Sequence, residues 1–284
     1  MSAIRRITVV GAGTMGHGIA QVAAMAGRRV RLFDVSAALI DRGLQAIRGN
    51  LDQGVEKGKL TAGERDSTLA RLQPAPELET AAAAADLIVE AVPEKIDLKR
   101  ELFARLDAAA PAHAVLASNT SSLSIAAIAA ATRHPGRVIG MHFFNPVHLL
   151  PLVEIVRAVG TSEETVAVAV AEGRALGKEP IVVRDSPGFA SSRLGLVLGL
   201  EAIRMLEQEV ASAEDIDKAM TLGYRHPMGP LRLTDLVGLD VRLAIAEHLH
   251  RELGSEAFRP PDLLRRMVDE GRLGKKAGRG FYEW

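Results

Sequence analysis

Short runs of apolar and β-branched residues alternate with segments of helical periodicity over roughly the first 185 residues. The strand-like runs cover residues 7–10, 30–33, 86–92, 115–117, 138–141, 153–156 and 181–183. Helical segments separate most of them, such as 14–27, which ends at a glycine, and a long one for which Ser36 is the expected N-cap. This alternation predicts an α/β domain with a doubly wound, mostly parallel sheet and helices on both faces.

The pattern changes after residue 185, where helical periodicity continues without another strand-like run. Helices are predicted over residues 194–207, 236–253 and 261–270, and from Ser212 onward. We therefore expect an α/β domain over residues 1–185 and an all-helical domain over residues 186–284. A leucine-rich helical domain of about one hundred residues often completes its core against a second copy, so a homodimer through residues 186–284 is expected.

The charge balance and the absence of cysteine exclude several classes of function. Lysine and arginine number 35, and aspartate and glutamate also number 35. Neither nucleic acid nor an anionic membrane is therefore expected as a partner. The lack of cysteine excludes disulfides, thiolate nucleophiles and Cys-ligated zinc. No run approaches the roughly 18 apolar residues that span a bilayer, and no targeting signature is recognisable, so a cytoplasmic location is expected.

A glycine motif, Gly11-Ala12-Gly13-Thr14-Met15-Gly16, follows the first predicted strand and opens the first predicted helix. In this context the motif predicts a dinucleotide site of the Rossmann type. Gly11 permits the tight turn, Gly13 lets the backbone approach a pyrophosphate, and Gly16 allows the helix to pack closely on the strand. The alternative is a glycine turn with a purely structural role.

Asp34 ends the second predicted strand, where a carboxylate accepts hydrogen bonds from ribose hydroxyls and repels a 2′-phosphate. This position favours NAD over NADP as the cofactor. Three nearby arginines, Arg28, Arg29 and Arg31, leave a phosphate-binding alternative open.

His142 follows the predicted strand at 138–141 and should lie near the carboxyl edge of the sheet, where ligands bind. Glu154 stands among apolar residues of the next predicted strand, and a carboxylate there needs a partner. A glutamate that orients a histidine produces an acid–base pair. The alternatives are a core histidine without catalytic function and His148 as the base.

The cluster Ser118-Asn119-Thr120-Ser121-Ser122 follows another predicted strand. It suits either binding of substrate oxygens or capping of a helix that begins near Ser124. A metal site is not expected, because His248 and His250 are two residues apart on a helix and face different ways.

Together these segments resemble the 3-hydroxyacyl-CoA dehydrogenase family, including its bacterial 3-hydroxybutyryl-CoA members, over nearly the whole chain. Further motifs that carry the resemblance are Val89-Glu90-Ala91-Val92-Pro93-Glu94, His142-Phe143-Phe144-Asn145-Pro146, Asp185-Ser186-Pro187-Gly188-Phe189, His226-Pro227-Met228-Gly229-Pro230 and Gly274-Lys275-Lys276-Ala277-Gly278-Arg279-Gly280-Phe281-Tyr282. The resemblance implies NAD-dependent interconversion of a short (S)-3-hydroxyacyl-CoA and its 3-oxoacyl-CoA. It also implies that the helical domain mediates dimerisation and borders the substrate.

The resemblance also implies roles for single residues. His142 is the implied catalytic base, Glu154 its orienting partner, and Ser121 the group that hydrogen-bonds the reacting oxygen. The implied contacts to the nicotinamide nucleotide are Glu94, Lys99, Asn145 and Lys276. Asn50 and Lys57 match positions that contact CoA.

Two departures from the family pattern bear on the substrate. Ser192 stands where relatives often have an asparagine that contacts substrate, and a serine hydroxyl reaches less far. The run at 148–151, His-Leu-Leu-Pro, lacks a lysine common in acyl-CoA members and is similar to relatives acting on gulonate or carnitine. A dehydrogenase of such a small hydroxy acid is the first alternative, and a non-catalytic dinucleotide-binding protein is the second.

Overall fold

The computed structural model describes residues 4–284. The chain divides into two compact units, Met1–Ser186 and Pro187–Trp284. The first unit contains one eight-stranded sheet with helices, and the second consists of helices.

The strands of the first unit run in the order β3-β2-β1-β4-β5-β6-β7-β8 across the sheet. Their bounds are β1 Arg6–Val10, β2 Arg29–Phe33, β3 Leu72–Ala75, β4 Leu87–Glu90, β5 Val115–Ser118, β6 Val138–Phe143, β7 Leu152–Arg157 and β8 Glu179–Arg184. All neighbouring pairs are parallel except β6 and β7, which are antiparallel. Strands β4 and β5 are buried at every residue, as expected for central strands covered on both faces.

The helices of the first unit are α1 Thr14–Met25, α2 Ala37–Glu56, α3 Ala62–Leu69, α4 Leu78–Ala82, α5 Ile96–Ala109, α6 Ile125–Ala129 and α7 Glu163–Ala175. Their ends follow local chemistry. The Ser36 side chain accepts a hydrogen bond from the Leu39 N–H and caps α2 as predicted. Gly27, with φ of 84°, follows the end of α1, where a left-handed conformation favours glycine.

The sequence-based prediction missed one strand and misplaced some limits. The missed strand, β3, has four residues including Pro74 and forms an edge of the sheet. Proline lacks the N–H that a central strand needs, so this composition does not indicate a strand. His142, expected just after a strand, lies inside β6. The strand predicted at 86–92 is shorter and covers β4 only.

The helices of the second unit are α8 Ser191–Glu207, α9 Ala213–Gly223, α10 Pro230–Val237, α11 Leu239–Leu253 and α12 Asp262–Asp269. Ser212 caps α9 as expected. The helix predicted over 236–253 is confirmed for residues 239–253, but its start is wrong, because Gly238, with φ of 102°, separates α10 from α11. Within residues 4–284, no helix combines the length and the apolar character that a membrane crossing requires.

The C-terminal segment of the second unit is hydrogen-bonded to a buried carboxylate. Asp235 is fully buried, and its oxygens accept hydrogen bonds from the N–H groups of Phe281 and Tyr282 and from the Trp284 indole. A carboxylate buried in this way needs such donors to offset its lost hydration. The last residues of the chain are thereby held against α10.

Candidate active site

Two glycines of the motif are required by close packing. Gly11 has φ of 101°, and a Cβ at this position would lie 2.6 Å from the Ala91 carbonyl oxygen. A Cβ on Gly16 would lie 1.6 Å from the Gly11 carbonyl oxygen. Larger residues at either position would therefore push α1 away from the strands beneath it.

Gly13 differs, because a Cβ there would meet no protein atom within 4 Å. This glycine borders a cavity of about 630 Å³ that opens beside the start of α1. The predicted cofactor residues that line the cavity are Gly11, Gly13, Thr14, Met15 and Asp34. The positive end of the α1 dipole and this open glycine suit a pyrophosphate.

Asp34 is held in place by two backbone groups at the edge of this cavity. Its Oδ2 accepts a hydrogen bond from the Ala12 N–H at 2.7 Å, and its Oδ1 accepts one from the Val35 N–H at 2.7 Å. A carboxylate fixed in this way retains lone pairs for ribose hydroxyls. The residues present thus fit a dinucleotide.

The three arginines of the phosphate-binding alternative are directed elsewhere. Arg28 forms an ion pair of 2.8 Å with a buried glutamate of α7. Arg31 donates to the Thr80 carbonyl at 2.7 Å. Arg29 is the first residue of β2, whereas Asp34 follows its last residue, so the two lie toward opposite edges of the sheet. This arrangement favours NAD, with its unmodified ribose.

His142 and Glu154 are direct partners in the antiparallel register of β6 and β7. The distance from His142 Nδ1 to Glu154 Oε2 is 2.8 Å. Glu154 is fully buried, and His142 is 6% exposed. Because cross-strand partners point to the same face, the register itself brings the two side chains together. Nδ1 is in position to donate to the carboxylate. Because Nδ1 is occupied in this way, Nε2 is the ring nitrogen that can exchange a proton with a ligand.

A second cavity, of about 320 Å³, lies beside this pair. It is lined by six residues predicted for the site, namely Met15, Glu94, Lys99, Ser121, His142 and Asn145. Met15 also lines the first cavity, so the two cavities adjoin. The Phe144 ring packs against the imidazole with 4.5 Å between ring centroids and forms part of the wall.

Lys99 lines the second cavity and belongs to a buried ionic cluster. It is 1% exposed, and its Nζ is 2.6 Å from Oε1 of the fully buried Glu90 and 3.3 Å from Glu94 Oε2. Glu90 also accepts hydrogen bonds from the Ser118 hydroxyl and the Val92 N–H. Lys99 thus links a buried carboxylate to one that reaches the cavity.

Sequence reasoning did not identify Glu90 as a member of the site. The sequence does contain a signal for Glu90, since it is an acidic residue at the end of an otherwise apolar strand. The same kind of signal identified Glu154 as a residue that needs a partner. The partner was harder to foresee, because Lys99 lies nine residues further along on α5.

Glu94 organises the polar cluster after β5. Its Oε1 accepts hydrogen bonds from the Thr120 hydroxyl and from the N–H groups of Ser121 and Ser122. Burial acts to raise the pKa of Glu94, but the charge of Lys99 and the hydrogen bonds of Thr120 and Ser121 outweigh it and lower the pKa. Helix capping was one of two alternatives for this cluster, and the cap of the following helix is Ser124, which lies outside the cluster.

Asn119, which was not singled out individually, also lines the second cavity. Its Oδ1 accepts a hydrogen bond from the Phe143 N–H at 2.9 Å and ties the end of β5 to the residue after His142. His148, the alternative base, does not line this cavity. Among residues 4–284, no cluster of three potential metal ligands is found.

The remaining predicted residues lie outside these two cavities. Asn50, in α2, donates a hydrogen bond to Gln21 Oε1, and the exposed Lys57 follows the end of α2. In the second unit, Ser192 lies in the first turn of α8. Lys276 forms an ion pair with Asp240 at 2.6 Å.

The chain is similar to known proteins over nearly its whole length. Residues 6–186 match the family model for the 3-hydroxyacyl-CoA dehydrogenase NAD binding domain, and residues 188–284 match that for the C-terminal domain. A probable 3-hydroxybutyryl-CoA dehydrogenase of Bacillus subtilis is 48% identical over 281 residues, covering 99% of this chain and 98% of the relative. A 3-hydroxybutyryl-CoA dehydrogenase of Mycobacterium tuberculosis is 47% identical over 284 residues, covering 99% of each.

A solved structure supports the same relationship. The (S)-3-hydroxybutyryl-CoA dehydrogenase of Ralstonia eutropha superimposes with a TM-score of 0.96, at 42% identity over 99% of each chain. With both family models matched and relatives similar over full length, the chain belongs to the 3-hydroxyacyl-CoA dehydrogenase family, with an NAD-binding first domain.

Proposed function

We propose that the protein interconverts short (S)-3-hydroxyacyl-CoA and 3-oxoacyl-CoA, such as 3-hydroxybutyryl-CoA and acetoacetyl-CoA, with NAD(H). The observation that carries the proposal is the 2.8 Å contact between His142 and a fully buried Glu154 beside a cavity that adjoins the proposed dinucleotide cavity. The full-length similarity to 3-hydroxybutyryl-CoA dehydrogenases supports this substrate class.

In the proposed mechanism, the 3-hydroxyl of the substrate donates to His142 Nε2. When bound, NAD supplies the acceptor for the hydride from C3. His142 takes the hydroxyl proton as the C3–H bond breaks, and Glu154 stabilises the imidazolium that forms. In the reverse direction, protonated His142 donates to the ketone oxygen. Positioned acid–base catalysis of this kind contributes about 10²–10⁴-fold in rate.

Ser121 is proposed to donate a second hydrogen bond to the reacting oxygen. Its N–H is bound to Glu94 Oε1 at 3.0 Å, so the backbone that carries its hydroxyl is fixed before substrate binds. Glu94, Lys99 and Asn145 are proposed to shape the nicotinamide end of the site. Lys99 acts there through Glu94, since its ammonium group is held by Glu90 and Glu94.

Contacts from other parts of the chain complete the proposal. Asn50 and Lys57 are proposed to contact the CoA moiety, with Lys57 supplying a cation. Ser192 is proposed to contact the substrate, through water where its hydroxyl does not reach. Lys276 is proposed to approach the nicotinamide nucleotide.

We also propose a homodimer formed through residues 186–284 and a cytoplasmic location. Several large apolar residues of this unit are exposed, including Leu194 at 67%, Leu222 at 79% and Tyr224 at 75%. Burying them against a second copy would remove this surface from water. Sedimentation at micromolar concentration should give twice the chain mass, and a monomeric mass would contradict the homodimer.

The function is tested by following NADH oxidation with acetoacetyl-CoA, beside free acetoacetate and dehydrogulonate. Rapid oxidation with the CoA ester alone is expected. Oxidation with a free keto acid but not with the ester would indicate a dehydrogenase of a small hydroxy acid, such as gulonate or carnitine. The His-Leu-Leu-Pro run at 148–151 is similar to those relatives. NADH binding without turnover of any substrate would instead indicate a non-catalytic protein.

A further inference from the structure

Arg242 is a buried cation without a protein counter-ion. It lies in the first turns of α11 and is 7% exposed. Its Nε is enclosed and has no hydrogen-bond partner among residues 4–284, and no carboxylate of that range forms an ion pair with it. Arg272, whose Nε also lacks a partner, instead binds the Gly280 carbonyl through Nη2 and pairs with Glu270.

The position of Arg242 is electrostatically costly in the protein alone. Burial lowers the pKa of its guanidinium to about 10, so the group is still a cation at neutral pH. A cation near the N-terminus of a helix also opposes the helix dipole, whose positive end lies there. A side chain kept charged, buried and unpaired against both effects indicates an anion that comes from outside the chain.

The nearest acidic residue along α11 does not supply this anion. Asp240 is two residues away in sequence, but its carboxylate is paired with Lys276 at 2.6 Å. Residues two apart on a helix face different directions. The Arg242 charge is therefore left for a ligand.

The guanidinium lies beside the part of α8 that bears Ser192. A Cβ built on Gly195 would be 3.9 Å from Arg242 Nη1, so the guanidinium approaches α8 at a residue without a side chain. Ser192 and Gly195 are three apart and share a face of α8. Gly195, the residue that the cation approaches, thus lies about one helical turn, about 5 Å along the axis, from the proposed substrate contact.

We propose that Arg242 binds a carboxylate at the far end of the acyl chain, so that the preferred substrates are 3-hydroxyacyl-CoA esters of dicarboxylic acids. This inference rests on the proposed function. A guanidinium pairs with a carboxylate through two parallel hydrogen bonds. The phosphates of CoA and NAD are other anions, but the residues assigned to them, Asn50 and Lys57 for CoA and Gly13 for the NAD pyrophosphate, belong to the first unit. Arg242 instead lies beside the helix that carries Ser192.

The test compares two substrates that share chain length and CoA and differ only in terminal charge. They are 3-oxoadipyl-CoA, which ends in a carboxylate, and 3-oxohexanoyl-CoA, which ends in a methyl group. Wild-type enzyme is expected to show a kcat/KM about tenfold or more higher for 3-oxoadipyl-CoA, since an added buried ion pair with hydrogen bonds has this order of effect. Equal or lower kcat/KM for 3-oxoadipyl-CoA would overturn the inference without any variant.

Arg242→Met removes the charge and keeps much of the side-chain volume. It should abolish the preference for 3-oxoadipyl-CoA and leave kcat/KM for 3-oxohexanoyl-CoA within about threefold, with Arg242→Lys giving partial recovery. Arg251→Met, at an exposed arginine of the same helix, is the matched control and should keep the preference. An equal loss on both substrates would assign Arg242 to the shared CoA part or to folding. Failure of the wild type to oxidise NADH with any 3-oxoacyl-CoA would instead contradict the proposed function.

Discussion

Glu154 lies directly opposite His142 in the antiparallel register of β6 and β7, and its Oε2 is 2.8 Å from His142 Nδ1. This pairing depends on the one antiparallel neighbour relationship in the described sheet, since all other pairs are parallel. A fully buried carboxylate at this distance from Nδ1 fixes the orientation of the imidazole ring.

His142→Gln should therefore lower kcat by about 10²–10⁴-fold, because glutamine cannot accept the hydroxyl proton. Binding of NADH, measured by fluorescence titration, should stay within a few-fold of wild type. Glu154→Gln should lower kcat less, since it removes the charge but leaves the base. Turnover of His142→Gln near the wild-type rate would remove this residue from the mechanism.

Glu90→Gln should destabilise the protein, because Lys99 would lose its nearest buried counter-charge. Breaking a buried ion pair by neutralising one partner costs about 3–5 kcal/mol in the free energy of unfolding. Urea denaturation measures this cost. Glu79→Gln breaks an exposed pair with Arg105 and serves as control, with an expected cost of about 0–1 kcal/mol. An equal loss in the free energy of unfolding for the two variants would contradict the claim that Glu90 and Lys99 form a stabilising buried ion pair.

Asp34→Ala should weaken NADH binding by about tenfold or more, because the ribose hydroxyls and two backbone N–H groups lose a charged acceptor. The same variant should reduce the preference for NADH over NADPH, since the carboxylate no longer repels a 2′-phosphate. Titration with both cofactors tests this. Wild-type enzyme that uses NADPH better than NADH would contradict the role of Asp34.

Asp107 should contribute to acid sensitivity. Burial acts to raise its pKa, but hydrogen bonds from Arg137, the Arg133 N–H and His134 outweigh it and lower the pKa. A carboxyl group with a depressed folded pKa adds stability above its unfolded pKa of about 4, and that contribution is lost as pH falls through the folded pKa. Asp107→Asn should reduce stability near neutral pH and flatten its decline below about pH 4 in thermal unfolding. Asp269→Asn, at an exposed aspartate, should leave the profile unchanged.

The sheet and the contact between His142 and Glu154 could be predicted because each has a strong local signal. Apolar runs mark the buried strands, and an acid within such a run, Glu154, requires a partner. The edge strand β3 carries Pro74 and has no such signal. The break between α10 and α11 depends on the positive φ of Gly238, whereas glycine alone does not end a helical pattern.

The contacts of Glu90, Lys99 and Arg242 could not be predicted from spacing. Lys99 reaches Glu90 only because α5 packs beside the end of β4, which is a property of the folded unit. The other charged residues of α11 are mostly exposed, and Arg242 is distinguished from them only by its burial. Such residues are recognised from burial and partners rather than from periodicity.

The central claim is an NAD-dependent oxidation of the (S)-3-hydroxyl that depends on His142. The most direct measurement supplies NAD with (S)-3-hydroxybutyryl-CoA, and separately with its (R) enantiomer, to wild-type enzyme and to His142→Gln. NADH should form rapidly only from the (S) ester and only with wild type. No NADH from the (S) ester, in a wild-type sample that binds NADH normally, would contradict the account.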